Sequence, residues 1–93
     1  MKRAMFIKRA SVGAGDALLY KLSDPIKFKL DNDEYETFDV VVSAVTTPYG
    51  VEEACIFPSD SDGNILSMLE LDGSIRGTLD HEKALENAGY EVI

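Results

Sequence analysis

The chain's residue pattern predicts an α+β domain: a curled antiparallel sheet of about five to six strands covered by one C-terminal helix over residues 80–88. Three observations predict it. Ile26, Phe28 and Leu30 alternate with Lys27 and Lys29, the period-two pattern of a strand with one dry and one wet face. Phe38 to Val45 reads Phe-Asp-Val-Val-Val-Ser-Ala-Val, a β-branched run apolar on both faces, as a central strand requires. Asp80 and Gly89 bracket a segment whose apolar residues are Ala84, Leu85 and Ala88. Those are the cap, stripe and stop of a short helix docked by one face.

The remaining elements follow in chain order. Ala4 to Val12 is rich in β-favouring side chains and reads as a first strand. Gly13-Ala14-Gly15-Asp16 is turn chemistry, and Leu18, Tyr20 and Leu22 alternate in a second strand that pairs back as a hairpin. Asp24-Pro25 breaks that strand before the run 26–30, and Asp31 to Glu36 is polar and turn-like. After the central strand, Thr47-Pro48-Tyr49-Gly50 turns the chain. Glu53 to Phe57 forms a short strand ending at Pro58. Ser59 to Asn64 is a loop whose Asp62-Gly63 step favours a hairpin, and Ile65 to Leu71 is a further strand. Asp72-Gly73-Ser74 turns again. Within the helix, Glu82 complements the first turn, and beyond it Tyr90 to Ile93 reads as a last short strand.

With 93 residues the chain is sized for a single domain. A chain of that length buries roughly two-thirds of the surface that its unfolded form exposes. No apolar run reaches the roughly 18 residues of a membrane span. The apolar start Ala4-Met5-Phe6-Ile7 returns to charge at Lys8-Arg9, too soon for a secretory segment. The single cysteine, Cys55, has no internal disulfide partner and suits a reducing cytoplasm. The net charge of −8 is unevenly spread. Residues 1–29 hold seven basic against two acidic residues, whereas residues 30–93 hold two against fifteen. An acidic whole disfavours nucleic acid and anionic membrane as partners. It suits either a solubilising surface, with basic strands beside acidic ones, or an acidic face that meets a basic partner.

Motif spacing removes most chemistries. With Gly63 as the sixth residue of a calcium loop, Pro58 would be first and Leu69 twelfth, and neither side chain ligates calcium. Gly13-x-Gly15 lacks the third glycine of a dinucleotide fingerprint, because Leu18 stands in its place. His81 is the sole histidine, so zinc would have to rely on Cys55 and carboxylates. A Cys55–His81 nucleophile and base pair has no third residue to orient it. Acidic pairs such as Asp33/Glu34 and Glu52/Glu53 carry no weight in so acidic a chain. The expectation is therefore no enzyme, no cofactor and no stabilising metal.

From Val40 to Val92 the chain resembles a group of small uncharacterised proteins of actinobacteriophages, mycobacteriophages among them. The resemblance runs through Ile56-Phe57-Pro58, Asp62-Gly63, Glu70-Leu71-Asp72-Gly73-Ser74 and Arg76-Gly77. It continues through Leu79-Asp80-His81, Ala84-Leu85 and Ala88-Gly89-Tyr90, and departs from the group near Leu66-Ser67-Met68. It supplies no catalytic motif. It implies a setting, the cytoplasm of the bacterial host cell, and a mode of action, binding a host protein and altering growth, division or superinfection control. Two alternatives stand beside it: an acidic nucleic-acid mimic that inhibits a host DNA-binding protein or nuclease through residues 31–86, and a minor phage structural or assembly protein. Interfaces favour exposed aromatic residues and arginine, which nominates Tyr35, Phe38, Tyr49, Phe57 and Arg76 as contacts of a monomer or weak homodimer.

Overall fold

In the computed structural model, which describes residues 2–10 and 15–93, the chain is mostly sheet with one short helix. The strands are β1 (Arg3–Arg9), β2 (Asp16–Leu30), β3 (Asp33–Thr46), β4 (Glu52–Ser59), β5 (Ile75–Arg76) and β6 (Glu91–Val92), and the helix α1 is His81–Asn87. They form one curled sheet in the order β5-β4-β3-β2-β1-β6. Among the described residues every strand pairing but one is antiparallel. The exception corrects the all-antiparallel expectation: β6 lies parallel to β1, with Arg3 opposite Glu91 and Ala4 opposite Val92. A parallel neighbour needs a crossover connection, and α1 supplies it by carrying the chain from β5 at one edge to β6 at the other.

β3 is central, between β2 and β4, and Val40, Val41 and Val42 are all fully buried. Consecutive burial means that both faces of the sheet are covered. On one face Tyr20, Leu22, Val40, Val42, Ala54 and Ile56 meet Ala84, Leu85 and Tyr90 from the helix and its C-terminal extension. On the other, Ala10, Ala17, Leu19 and Val41 form a smaller cluster against Ile65.

Two segments expected to break the sheet belong to it. Asp24-Pro25 does not end β2. Instead the register shifts, so that Leu22 to Pro25 lie opposite Phe38 alone. A bulge has no ladder bond for proline to lose. The distorted segment is also braced from a distance: Ser23 Oγ accepts the Arg3 N–H at 2.8 Å, and the Tyr90 hydroxyl donates to the Asp24 carbonyl at 3.1 Å. The polar run Asp31–Glu36 is turn only at Asp31-Asn32, whose φ values of 54° and 70° suit a two-residue hairpin loop. Beyond it, Glu34 and Glu36 lie opposite Lys29 and Lys27, and Tyr35 stacks on Phe28 with ring centroids 5.8 Å apart. Basic β2 beside acidic β3 neutralises part of the uneven charge seen along the sequence.

Two further boundaries move. β4 runs through Pro58 to Ser59, with the Pro58 carbonyl accepting the Leu66 N–H at 2.9 Å. Ile65–Leu71 is not a strand. It touches β4 by one bridge, Ile65 to Ser59, and a Leu71 N–H bond to the Ile56 carbonyl at 2.8 Å. The Ser74 hydroxyl takes the Ile56 N–H at 2.9 Å, and β5 pairs only with Glu53 and Ala54. The edge of β4 is thus capped by loop and hydroxyl rather than by a long strand.

The helix is one residue shorter at each end than the predicted 80–88, because Asp80 and Ala88 are its caps. Asp80 Oδ1 accepts the Glu82 N–H at 3.0 Å as the N-cap. Gly89, at φ +94°, stops the helix. Gly89 N–H bonds the Glu86 carbonyl and Tyr90 N–H bonds the Leu85 carbonyl, both at 3.0 Å, the paired closure of a left-handed glycine stop. Of the expected N-terminal elements, Ser11 to Ala14, which include the end of the first strand and the first half of its turn, lie outside the described residues.

Candidate functional site

Strand alternation in β4 opens a hollow on the second face. Ala54 and Ile56 point into the helix-side core, so Glu53, Cys55 and Phe57 point the other way. The loop after β4 then brings Glu70 over Cys55, and β5 brings Arg76 beside Glu53. The Cys55 thiol donates to Glu70 Oε1 at 3.4 Å and lies 3.9 Å from Glu53 Oε2. Arg76 Nε donates to Glu53 Oε1 at 2.9 Å. Val45, Phe57, Ile65 and Met68 line the remaining walls of a pocket of about 180 Å³. The pocket therefore has an apolar interior and an acidic rim, part of which Arg76 neutralises.

Burial comes first among the causes that push the Cys55 thiol from its ordinary 9.0 up to about 12; the hydrogen bond and charge of Glu70 follow, then the charge of Glu53, while Arg76 pulls weakly the other way. At neutral pH the sulfur is a thiol, and the thiolate is the nucleophilic form. A bulky thiol reagent should label native Cys55 far more slowly than the unfolded chain, and Glu70→Gln, which removes the carboxylate charge, should speed that labelling. Equal rates for the native and unfolded protein would show that the sulfur is open. The same shift sets a pH dependence. Above about pH 9 the unfolded chain gives up this proton while the folded chain holds it, so this contribution to stability is lost as pH rises towards 12.

The structure does not join Cys55 to His81. His81 Nε2 lies 2.9 Å from the Asp16 carbonyl oxygen, at the start of β2, while the thiol bonds a carboxylate. Instead it joins donors that the sequence spacing kept apart: a sulfur of Cys55 and oxygens of Glu53 and Glu70 within 4.8 Å of one another. As they stand they form a hydrogen-bonded cluster, with a protonated sulfur and one carboxylate held by arginine. The Asp60 loop is satisfied by itself. Asp60 Oδ1 accepts the N–H groups of Asp62 and Asn64, each at 2.9 Å, and Oδ2 accepts Asn64 Nδ2 at 3.0 Å. Those bonds, Asn64's foremost, hold the Asp60 carboxyl below its usual range.

No protein-family model, curated protein or solved structure matches this chain. What it can do must be read from its own surface. Of the nominated contact residues, Phe57 forms a wall of the pocket and Arg76 braces its rim through Glu53. Tyr35, Phe38 and Tyr49 are all exposed, Tyr49 almost completely at 94%, but none lines the pocket. Sequence reasoning passed over Met68 and Leu69, which are 71% and 69% exposed on the loop beside the pocket. Both lie in the apolar run Ile65–Leu71, whose composition reads as a strand. It also passed over Met5, Phe6 and Ile7 of β1, each more than two-fifths exposed.

Proposed function

We propose that this chain is a small non-enzymatic accessory protein that binds a host protein and modulates its activity in the cytoplasm of a phage-infected bacterium. The observation that supports a binding role is the apolar pocket beneath Cys55, with Met68 of its lining 71% exposed and Glu53 and Glu70 on its rim. A flexible methionine at the edge of a preformed apolar hollow suits a contact surface. The partner chemistry that fits is a large apolar side chain flanked by basic residues.

The test starts from affinity purification out of host cells and rests on reconstitution of the complex from two purified components. Met68→Asp, at an exposed position where folding is spared, should weaken that complex at least tenfold, about 1.4 kcal/mol. Raising salt to about 1 M, where charges are screened beyond about 3 Å, should weaken it only modestly. If no purified host protein binds, or if Met68→Asp binds like the wild type, the proposal fails. Binding that collapses with salt would instead favour the acidic mimic.

A further inference from the structure

The sheet has a second feature that points outward, on the opposite edge and with the opposite charge. β6 covers only the start of β1. The Lys2 carbonyl accepts the Glu91 N–H at 2.8 Å and the Ala4 carbonyl accepts the Ile93 N–H at 3.0 Å. By alternation the main chain of Phe6 is the next to face this side, and no described residue pairs with it there. The far edge of the sheet is treated differently, since loop, hydroxyl and β5 together cap β4. Natural sheets rarely leave an apolar edge open, because unpaired N–H and C=O groups template another strand.

The flanks of this open edge are basic. Lys2, Arg3, Lys8 and Arg9 are the charged residues of the first ten, with no acidic residue among them. Arg9 is paired with Asp16 at 2.8 Å, while Arg3 and Lys8 have no ion-pair partner among the described residues. Beside the edge lies a shallow hollow of about 200 Å³, floored by Met5, Leu22 and Ile93 and rimmed by Arg3 and Lys21. Open backbone, apolar floor and cationic rim coincide at one place on a protein that is otherwise acidic.

We infer that the open edge of β1, from Met5 to Arg9, is a docking site for an acidic extended segment of another protein, which adds to the sheet as a seventh strand beside Phe6. Main-chain bonds supply the affinity in such strand addition, and alternate side chains supply the specificity. One side of the incoming strand would set an apolar residue into the hollow over Met5 and Ile93, with carboxylates towards Arg3, Lys8 and Lys21. Charge argues against a second copy of the same chain as occupant. Antiparallel self-pairing about Ile7 would set Lys8 of each copy opposite Phe6 of the other and Arg9 opposite Met5, a ladder that gives none of these cations an acidic neighbour across it. The register shift between Phe6 and Lys8 adds a further obstacle to flat self-pairing. Lysine thus guards the edge against itself and selects an acidic visitor.

The probe is a short acetylated peptide, Glu-Thr-Val-Thr-Glu, whose valine and two glutamates share one face when extended, titrated into the isotope-labelled protein at low salt. Amide signals of β1 centred on Phe6 should shift, and exchange of the Phe6 amide should slow. A peptide with lysine in place of glutamate should leave them unmoved. Lys8→Glu, an exposed substitution that leaves the fold intact, should weaken the glutamate peptide about five- to tenfold. Met68→Asp should leave peptide binding unchanged, so loss of the pocket-mediated partner and loss of this site are separately visible. Equal binding of both peptides, indifference to Lys8→Glu, or concentration-dependent β1 shifts from self-association without peptide would each overturn the inference.

Discussion

Leu85→Ala should lower stability by about 2–4 kcal/mol, a fall of roughly 10–25 °C in melting temperature for a domain of this size. The whole margin of such a domain is only about 5–14 kcal/mol, so the loss is a large fraction of it. The magnitude follows from where Leu85 sits. α1 has seven residues, too few to persist alone in water, so docking must hold it. Leu85 is 1% exposed and Ala84 fully buried, and both join Tyr20, Val40, Ile56 and Tyr90 in the helix-side core. Truncation leaves a cavity that those rigid strand residues cannot close. It also loosens the seat of Tyr90, whose hydroxyl braces the β2 bulge at Asp24. Asp80→Ala removes one cap bond and should cost only about 1 kcal/mol. Thermal unfolding of the two variants beside the wild type separates packing from capping. A Leu85→Ala protein that melts within a degree or two of wild type would mean that the helix does not dock through this face.

What could be read from the sequence was whatever is local. The helix is legible because its cap, stripe and glycine stop lie within ten consecutive residues, and each acts on its neighbours. β3 is legible because three consecutive valines can be buried only when both faces are covered. The bulge at Leu22–Pro25 is not legible, since the groups that make it tolerable belong to Arg3 and Tyr90. Ile65–Leu71 shows the complementary difficulty. Its composition suits a strand, but strand formation needs a free edge, and β4 offers only isolated bonds to Ile65, Leu66 and Leu71. Met68 and Leu69 are left outside as a result. For the site, alternation places Cys55 and Phe57 on one face, but nothing in the spacing brings Glu70 to the sulfur. Its arrival depends on how the loop from Ile65 to Ser74 returns along β4.

That return path is what Gly73→Ala should disrupt, with an expected cost of about 2–5 kcal/mol. Gly73 has φ +106°, a conformation that costs a residue bearing Cβ about 1–2 kcal/mol. Space is the second obstacle. A Cβ at position 73 would lie 2.4 Å from Ala88 Cβ and 2.9 Å from Ala88 Cα, so the turn and the end of α1 would have to separate. Overpacking of this kind typically costs a further 1–3 kcal/mol or so. Separation would also strain the Asn87 Nδ2 bond to the Gly73 carbonyl, now 3.2 Å. Ala88→Gly removes one of the two colliding atoms. The double variant should therefore be less destabilised than the two single costs predict, by about 1 kcal/mol, leaving the backbone strain in place. Strict additivity would mean that the helix end and the turn do not collide, and a Gly73→Ala protein as stable as wild type would mean that the loop is not seated on α1 at all. The same variant has a second readout at the site. Glu70 lies three residues before Gly73, so a displaced turn weakens its hold on the Cys55 thiol and lets a thiol reagent in. Faster labelling of Cys55 in Gly73→Ala, under conditions where the protein remains folded, would tie the packing of the helix to the geometry of the pocket on the opposite face of the sheet.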